Sequence, residues 1–165
     1  MRNTMNAIAC CITVLLCLMA TACQEHTAID FDRVEALMDP HPDSALALLD
    51  TLHAEPQHYT AKDRARYYLL LTEAMNKCFL THTTDSLIRL SAEYYEQHND
   101  RHHYAKALYL QGRIYEDWRE NEQSAACWVK ALDYGKDSED HYLLYRIAYR
   151  LATLYAYQDI ADRAM

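Results

Sequence analysis

The feature that most limits what this chain can fold into is a recurrence at a step of 40 residues. Thr72, Gly112 and Ala152 are small residues at that spacing. Met75, Tyr115 and Tyr155 follow them by three places, and Arg66, Lys106 and Arg146 precede them by six. Tyr94 and Tyr134 keep the same step, as do Asp100 and Asp140. A fixed period of this size marks repeated units that stack on their neighbours. Within each unit the apolar residues recur at helical spacing and do not alternate. Of 165 residues only two are Gly, three Pro and three Val, so the residues that build sandwiches and barrels are scarce. The expected fold class is therefore all-α. A small residue admits a neighbouring helix, and a bulky one a turn later fills the space beside it.

Ile29, Val34, Leu37 and Met38 predict a first short helix, ended by Asp39-Pro40-His41-Pro42-Asp43. Ala45, Leu48, Leu49 and Leu52 line a second helix, broken at Glu55-Pro56-Gln57-His58. Thr60, with Asp63 three places on, predicts the N-cap of a long helix carrying Tyr67, Tyr68, Leu71, Met75 and Cys78. Thr83-Thr84-Asp85 is expected to cap its antiparallel partner, which carries Leu87, Leu90 and Tyr94. After Asn99-Asp100 the pattern restarts with Tyr104, Leu108, Tyr115 and Trp118, and Gln111 is the polar exception on that face. Ala125, Trp128, Ala131 and Leu132 form the next partner, with Gly135 expected just past its end. Leu144, Ile147, Ala148, Leu151 and Tyr155 mark the last long helix, expected to be complete near Gln158, with a further helix starting at Ile160. That unfinished hairpin would leave Leu144, Ile147, Leu151 and Leu154 uncovered. Either the chain is a truncated piece of a longer protein, the favoured reading, or this edge docks onto another subunit.

Residues 1–22 read as an address, not as part of the fold. Arg2 is followed by an apolar run from Ala7 to Met19 broken only by Thr13. That length fits a secretory h-region and falls short of the ~20 residues needed to span a bilayer. The run ends Ala20-Thr21-Ala22-Cys23, which resembles the lipobox of bacterial lipoproteins, with Ala20 where that motif usually has Leu. The resemblance implies acyl chains on Cys23, and stable anchoring takes more than one such chain. Gln24 in place of Asp implies the outer rather than the inner membrane; cleavage after Ala22 without lipid would give a free periplasmic protein. With the leader removed and Cys23 acylated, Cys78 and Cys127 remain. Both read as small buried hydrophobes, and their pairing stays open.

From residue 60 on the chain is similar to a tetratricopeptide-repeat protein. The middle unit carries Leu108, Gly112, Tyr115, Ser124, Trp128 and Ala131 at that family's spacing, and the third offers Leu151, Ala152, Tyr155 and Ala164. The first unit departs from the pattern, with Thr72 for Gly and Met75 for Tyr, and the period exceeds the usual 34. Pro42-Asp43-Ser44-Ala45-Leu46-Ala47-Leu48-Leu49-Asp50 resembles the opening of helical-repeat lipoproteins common in Bacteroidetes. The resemblance implies a right-handed superhelix of antiparallel hairpins: a hairpin over 29–58 follows a tether at 23–28, and repeats fill 59–165. It also implies a groove lined by Arg66, Leu69, Glu73, Asn76 and Lys77, then Lys106, Tyr109, Arg113, Glu116 and Asp117, then Arg146, Tyr149, Thr153 and Tyr157. The cationic row Arg66, Lys106 and Arg146 would hold carboxylates of a protein or peptide. The alternative is that these are ordinary surface charges or partners of Glu73 and Glu116.

A formal charge of −8 without a basic block argues against nucleic acid as a partner. His98, His102 and His103 cluster in sequence, but Asn99-Asp100 interrupts them, so no metal site is expected. No catalytic or phosphate-binding signature surrounds any residue, and neither enzyme activity nor a cofactor is expected. The functional expectation is a non-catalytic binding scaffold tethered to the envelope. The alternatives are the sensor part of a larger signalling protein and a glycan-binding lipoprotein.

Overall fold

A computed structural model describes residues 30–52 and 59–164, with side chains as far as Tyr157. The leader, Cys23, the tether, Ile29 and the break at 55–58 lie outside the described residues. Seven helices and no strand are present among those described: α1 (Phe31–Met38), α2 (Pro42–Leu52), α3 (Ala61–Lys77), α4 (Ser86–Gln97), α5 (Arg101–Asp117), α6 (Asn121–Gly135) and α7 (His141–Ala164). None is both long and apolar enough to cross a membrane.

The helix starts follow from capping chemistry. Asp30, Thr60, Asp100 and Asp140 each accept the backbone N–H three residues on, at 3.0, 3.1, 3.2 and 2.8 Å. Each such cap contributes about 1 kcal/mol. The ends of α3, α4 and α5 share one device that the sequence hides. Phe79, Asn99 and Arg119 adopt positive φ of 57°, 54° and 63°. Their N–H groups donate to Asn76, Glu96 and Glu116, and the next N–H in each case donates to Met75, Tyr95 and Tyr115. Three identical turns therefore recur at 20 residues, half the period of the small residues, on three unrelated residue types. Gly135, expected in that role, is instead the last residue of α6, and no glycine has positive φ.

Contacts between helices fix their directions. Arg66 reaches Asp32 and Glu35, Lys106 reaches Glu73, and Arg150 reaches Glu116. Asp32–Arg66 and Asp39–Lys77 advance together, as do Tyr109–Arg146 and Glu116–Arg150, so α1 runs parallel to α3 and α5 to α7; Lys106–Glu73 joins α3 to α5. Lys130–Glu96 does the same for α6 and α4. Ser124–Gly112 and Trp128–Tyr109 run in opposing order, so α6 is antiparallel to α5. The result is two layers, α1, α3, α5 and α7 in one and α2, α4 and α6 in the other.

Two apolar clusters hold the layers together. Phe31, Val34, Met38, Ala45 and Leu49 pack with Tyr67, Leu70 and Ala74 of α3. The opposite side of α3, through Ala65 and Leu69, joins Ile88, Ala107, Leu110, Ile114, Trp128 and Ile147. The small-residue expectation is met most clearly at Gly112. A Cβ there would stand 2.4 Å from Trp128 Nε1 and 2.6 Å from Cδ1. Trp128 is fully buried and donates its indole N–H to Tyr109 O at 3.1 Å.

Other expectations are corrected. Leu90, Leu132 and Tyr155 are exposed, because the four-residue spacing that links them to their neighbours drifts off the core side. Helix α7 runs unbroken from His141 to Ala164, since Gln158-Asp159-Ile160 contains no Gly or Pro to end it. Ile147, Leu151 and Leu154 are buried and Leu144 is half-buried, all on the side that faces the rest of the fold. What α7 exposes is its other side: Tyr142, Tyr145, Tyr149, Tyr155 and Tyr157.

Candidate functional site

The anticipated groove residues fall on the layer of α1, α3, α5 and α7, and they divide into three groups. Leu69 and Tyr109 are buried, at 1% and 2% exposure, so they are core residues and not ligand contacts. Their groove assignment is thereby corrected: the layer packs more tightly than an open trough, and these side chains fill the seam between parallel helices.

The cationic row forms the second group. Arg66 donates to Asp32 Oδ1 at 2.8 Å and to Glu35 Oε1 at 2.9 Å, and its guanidinium lies 5.1 Å from the Phe31 ring centre. Lys106 pairs with Glu73 at 2.7 Å, and the Glu73 side chain is only 7% exposed. Lys77 pairs with Asp39 at 2.6 Å. Each cation thus ties its helix to the preceding one in the layer. Arg66 and Lys106 are spent on the fold, which corrects the uniform cationic wall. Position 113, which follows Glu73 by one period, carries Arg113, and it bonds Glu116 on its own helix. Arg146 therefore meets no carboxylate and rests on Tyr109, 4.7 Å from the ring centre, and near Tyr142 at 5.6 Å. Among the described residues it takes part in no ion pair.

These charges share one face. The Lys77 hydrogen bond holds the Asp39 carboxyl below its usual range against a smaller push from burial, and the charges of Lys77, Arg146 and Lys106 add to the effect. One carboxylate at the end of α1 is thus within the field of cations from α3, α5 and α7. The remaining residues make the third group: Arg150 bonds Glu116 at 3.4 Å, Thr153 donates to Tyr149 O, and Asp117, Tyr149 and Tyr157 are exposed. Asn76 is half-buried at the end of α3.

Two features escaped the sequence reading. Asp85 sits at the start of α4, but its carboxylate does not cap that helix. It accepts from Tyr115 Oη at 2.8 Å and Gln111 Nε2 at 3.2 Å. The polar exception on α5 was the available signal, since a polar residue on an apolar face needs a partner. The second is a 190 Å³ hollow bounded by Tyr95, Glu96, Asn99, Asp100, Arg101, Tyr104 and Tyr134. Its groups satisfy one another. Tyr104 donates to Glu96 at 2.7 Å, Lys130 donates to the Tyr104 hydroxyl, and Arg101 lies over Tyr134.

The histidines are dispersed among separate partners: His102 with Asp140 at 3.0 Å, His103 with Asp100 at 2.8 Å, and His98 with Tyr94 O at 2.7 Å. Among the described residues no three His, Cys, Asp or Glu side chains gather as a metal set. Cys78 and Cys127 are both free thiols, each half-buried, and burial pushes the Cys127 thiol up to about 11. A thiolate is the reactive form, and burial disfavours it at Cys127. Comparison with protein-family models, with curated proteins and with solved structures finds no match to this chain.

Proposed function

We propose that this chain is a non-catalytic scaffold of tetratricopeptide type, a right-handed stack of hairpins that holds a protein or peptide at the bacterial envelope through lipid on Cys23. The observation that carries the reading is Arg146. It is the one member of the cationic row that forms no ion pair with a neighbouring helix among the described residues. It rests against Tyr109 and Tyr142, with Tyr149, Thr153 and Tyr157 further along the same helix. A guanidinium held flat by aromatic rings presents its N–H edge to a carboxylate, and rigid tyrosines supply contact area at low entropic cost. The partner segment is accordingly extended and carries a carboxylate opposite Arg146.

The reading is tested by capture from envelope extracts with the parent chain, Arg146→Ala and Arg66→Ala. Loss of a specific band with Arg146→Ala alone supports it. Equal capture by all three removes Arg146 from the site. Anchoring is tested separately by metabolic labelling with an alkyne fatty acid: the parent is labelled and Cys23→Ala is not. Label on neither chain contradicts the anchor.

A further inference from the structure

The outward side of α7 carries half of the exposed large hydrophobic side chains among the described residues. Tyr145, Ala148, Tyr149 and Ala152 are exposed. The residues one period earlier on α5 are Ala105, Leu108, Tyr109 and Gly112, and all are buried. On α3, Ala65, Leu69 and Thr72 are buried as well. In α5 the antiparallel helix α6 covers this side at Ala105, which lies against Gly135, and at Gly112, where Trp128 is set into the space left, while the Tyr109 ring is covered by Arg146 of α7. The same side of α7 therefore has the design of a surface made to receive an antiparallel helix, with Ala152 in the place of Gly112.

We infer that a second copy of this chain supplies that helix, α7 packing antiparallel on α7 about a two-fold axis between Ala148 and Tyr149. The pattern is self-complementary in that register. Tyr145 of each copy faces Ala152 of the other and Tyr149 faces Ala148, so at the centre large side chains meet small ones as Trp128 meets Gly112, while Tyr142 and Tyr155 meet ring to ring at the two ends. Such an arrangement is isologous and closes on itself. Head-to-tail packing of α7 onto α1 and α2 would meet no large exposed hydrophobic side chain among the described residues. Four tyrosines between 51% and 63% exposed lie on or beside this surface. At roughly 150–250 Å² for a whole aromatic side chain, they remove about 500 Å² per copy, or about 1,000 Å² in all. That is the low end for a specific interface, so the dimer is micromolar. The inference rests on helix packing and not on the anchor, but its interface takes in Tyr142 and Tyr149 beside Arg146, so dimer formation and ligand binding compete for this side of α7.

The test is sedimentation equilibrium of the full chain in density-matched detergent, alongside Ala152→Arg and Tyr149→Arg, with far-ultraviolet circular dichroism as the control for folding. Both positions are exposed, so both variants fold. A monomer–dimer equilibrium that both substitutions weaken at least tenfold is the expected result. A parent that stays monomeric to about 200 μM, well above micromolar, overturns the inference. Dimerisation that both variants retain also overturns it, since the contact then lies elsewhere. Register is read by oxidation: a mixture of Tyr145→Cys and Ala152→Cys chains gives more covalent dimer than either alone. Equal yields from mixed and unmixed chains contradict the antiparallel register.

Discussion

Gly112→Ala exposes the physical logic of the fold in one methyl group. In an exposed helix this substitution stabilises by about 1 kcal/mol through helix propensity. Here the added Cβ would lie 2.4 and 2.6 Å from Trp128 Nε1 and Cδ1. Neither atom is the free end of a flexible chain: the indole is fully buried and hydrogen-bonded to Tyr109 O. Forcing it aside costs about 1–3 kcal/mol of overpacking and about 1 kcal/mol of hydrogen bonding, so the net loss is about 2 kcal/mol. For a domain of this size that lowers Tm by about 8 °C. Urea unfolding followed by tryptophan fluorescence and circular dichroism measures it. The control is Gly135→Ala, whose Cβ meets Ala105 and Leu144 at 3.3 and 3.4 Å and is nearly neutral. The first unit carries its own solution, Thr72 with Ile88, one period before Gly112 with Trp128. The pair Gly112→Thr and Trp128→Ile is therefore less destabilising than the two single changes summed. A Gly112→Ala chain as stable as the parent would refute the claim that this residue is small because a helix is seated on it.

Three further outcomes follow from named contacts. Lys106→Met leaves the buried Glu73 carboxylate unpaired and lowers stability by about 3 kcal/mol, and adding Glu73→Gln restores most of it, as read by urea midpoints. His82 is buried with Nε2 unpartnered, and burial lowers its pKa against the opposing charge of Asp117. The unfolded chain therefore binds the proton more tightly, and stability falls as pH drops below about 6.5. The Tm of the parent minus that of His82→Leu falls from pH 7 to 5; a constant value would show that His82 does not titrate with unfolding. Arg119→Gly relieves a positive φ that costs about 1 kcal/mol and raises Tm by a few degrees, visible by calorimetry.

How much was legible in the sequence follows from which interactions are local. Helix starts were readable because a cap is a residue and an amide three places apart, as at Thr60 and Asp100. Gly112 was readable because its partner helix repeats its demand at a fixed period. The left-handed turns at Phe79, Asn99 and Arg119 were not, since backbone geometry there overrides residue preference. Leu69 and Tyr109 were misplaced because one helical face serves both a groove and a seam, and only packing distance separates the two. The fates of Arg66, Lys106 and Arg146 diverge for the same reason. They share a register position, but Asp32 and Glu35, Glu73, and an aromatic ring stand opposite them in turn.

The central claim is that α3, α5 and α7 lie side by side and parallel, one step apart. Spin labels at Lys62, His102 and Tyr142, each two residues past its helix cap, test it by dipolar spectroscopy. Neighbouring parallel helices predict two equal steps of about 10 Å, and about 20 Å from Lys62 to Tyr142. A step of about 27 Å, the ~25 Å length of a helix of this size taken at right angles to the ~10 Å spacing, would mean that one of the three runs the other way, and would contradict the account.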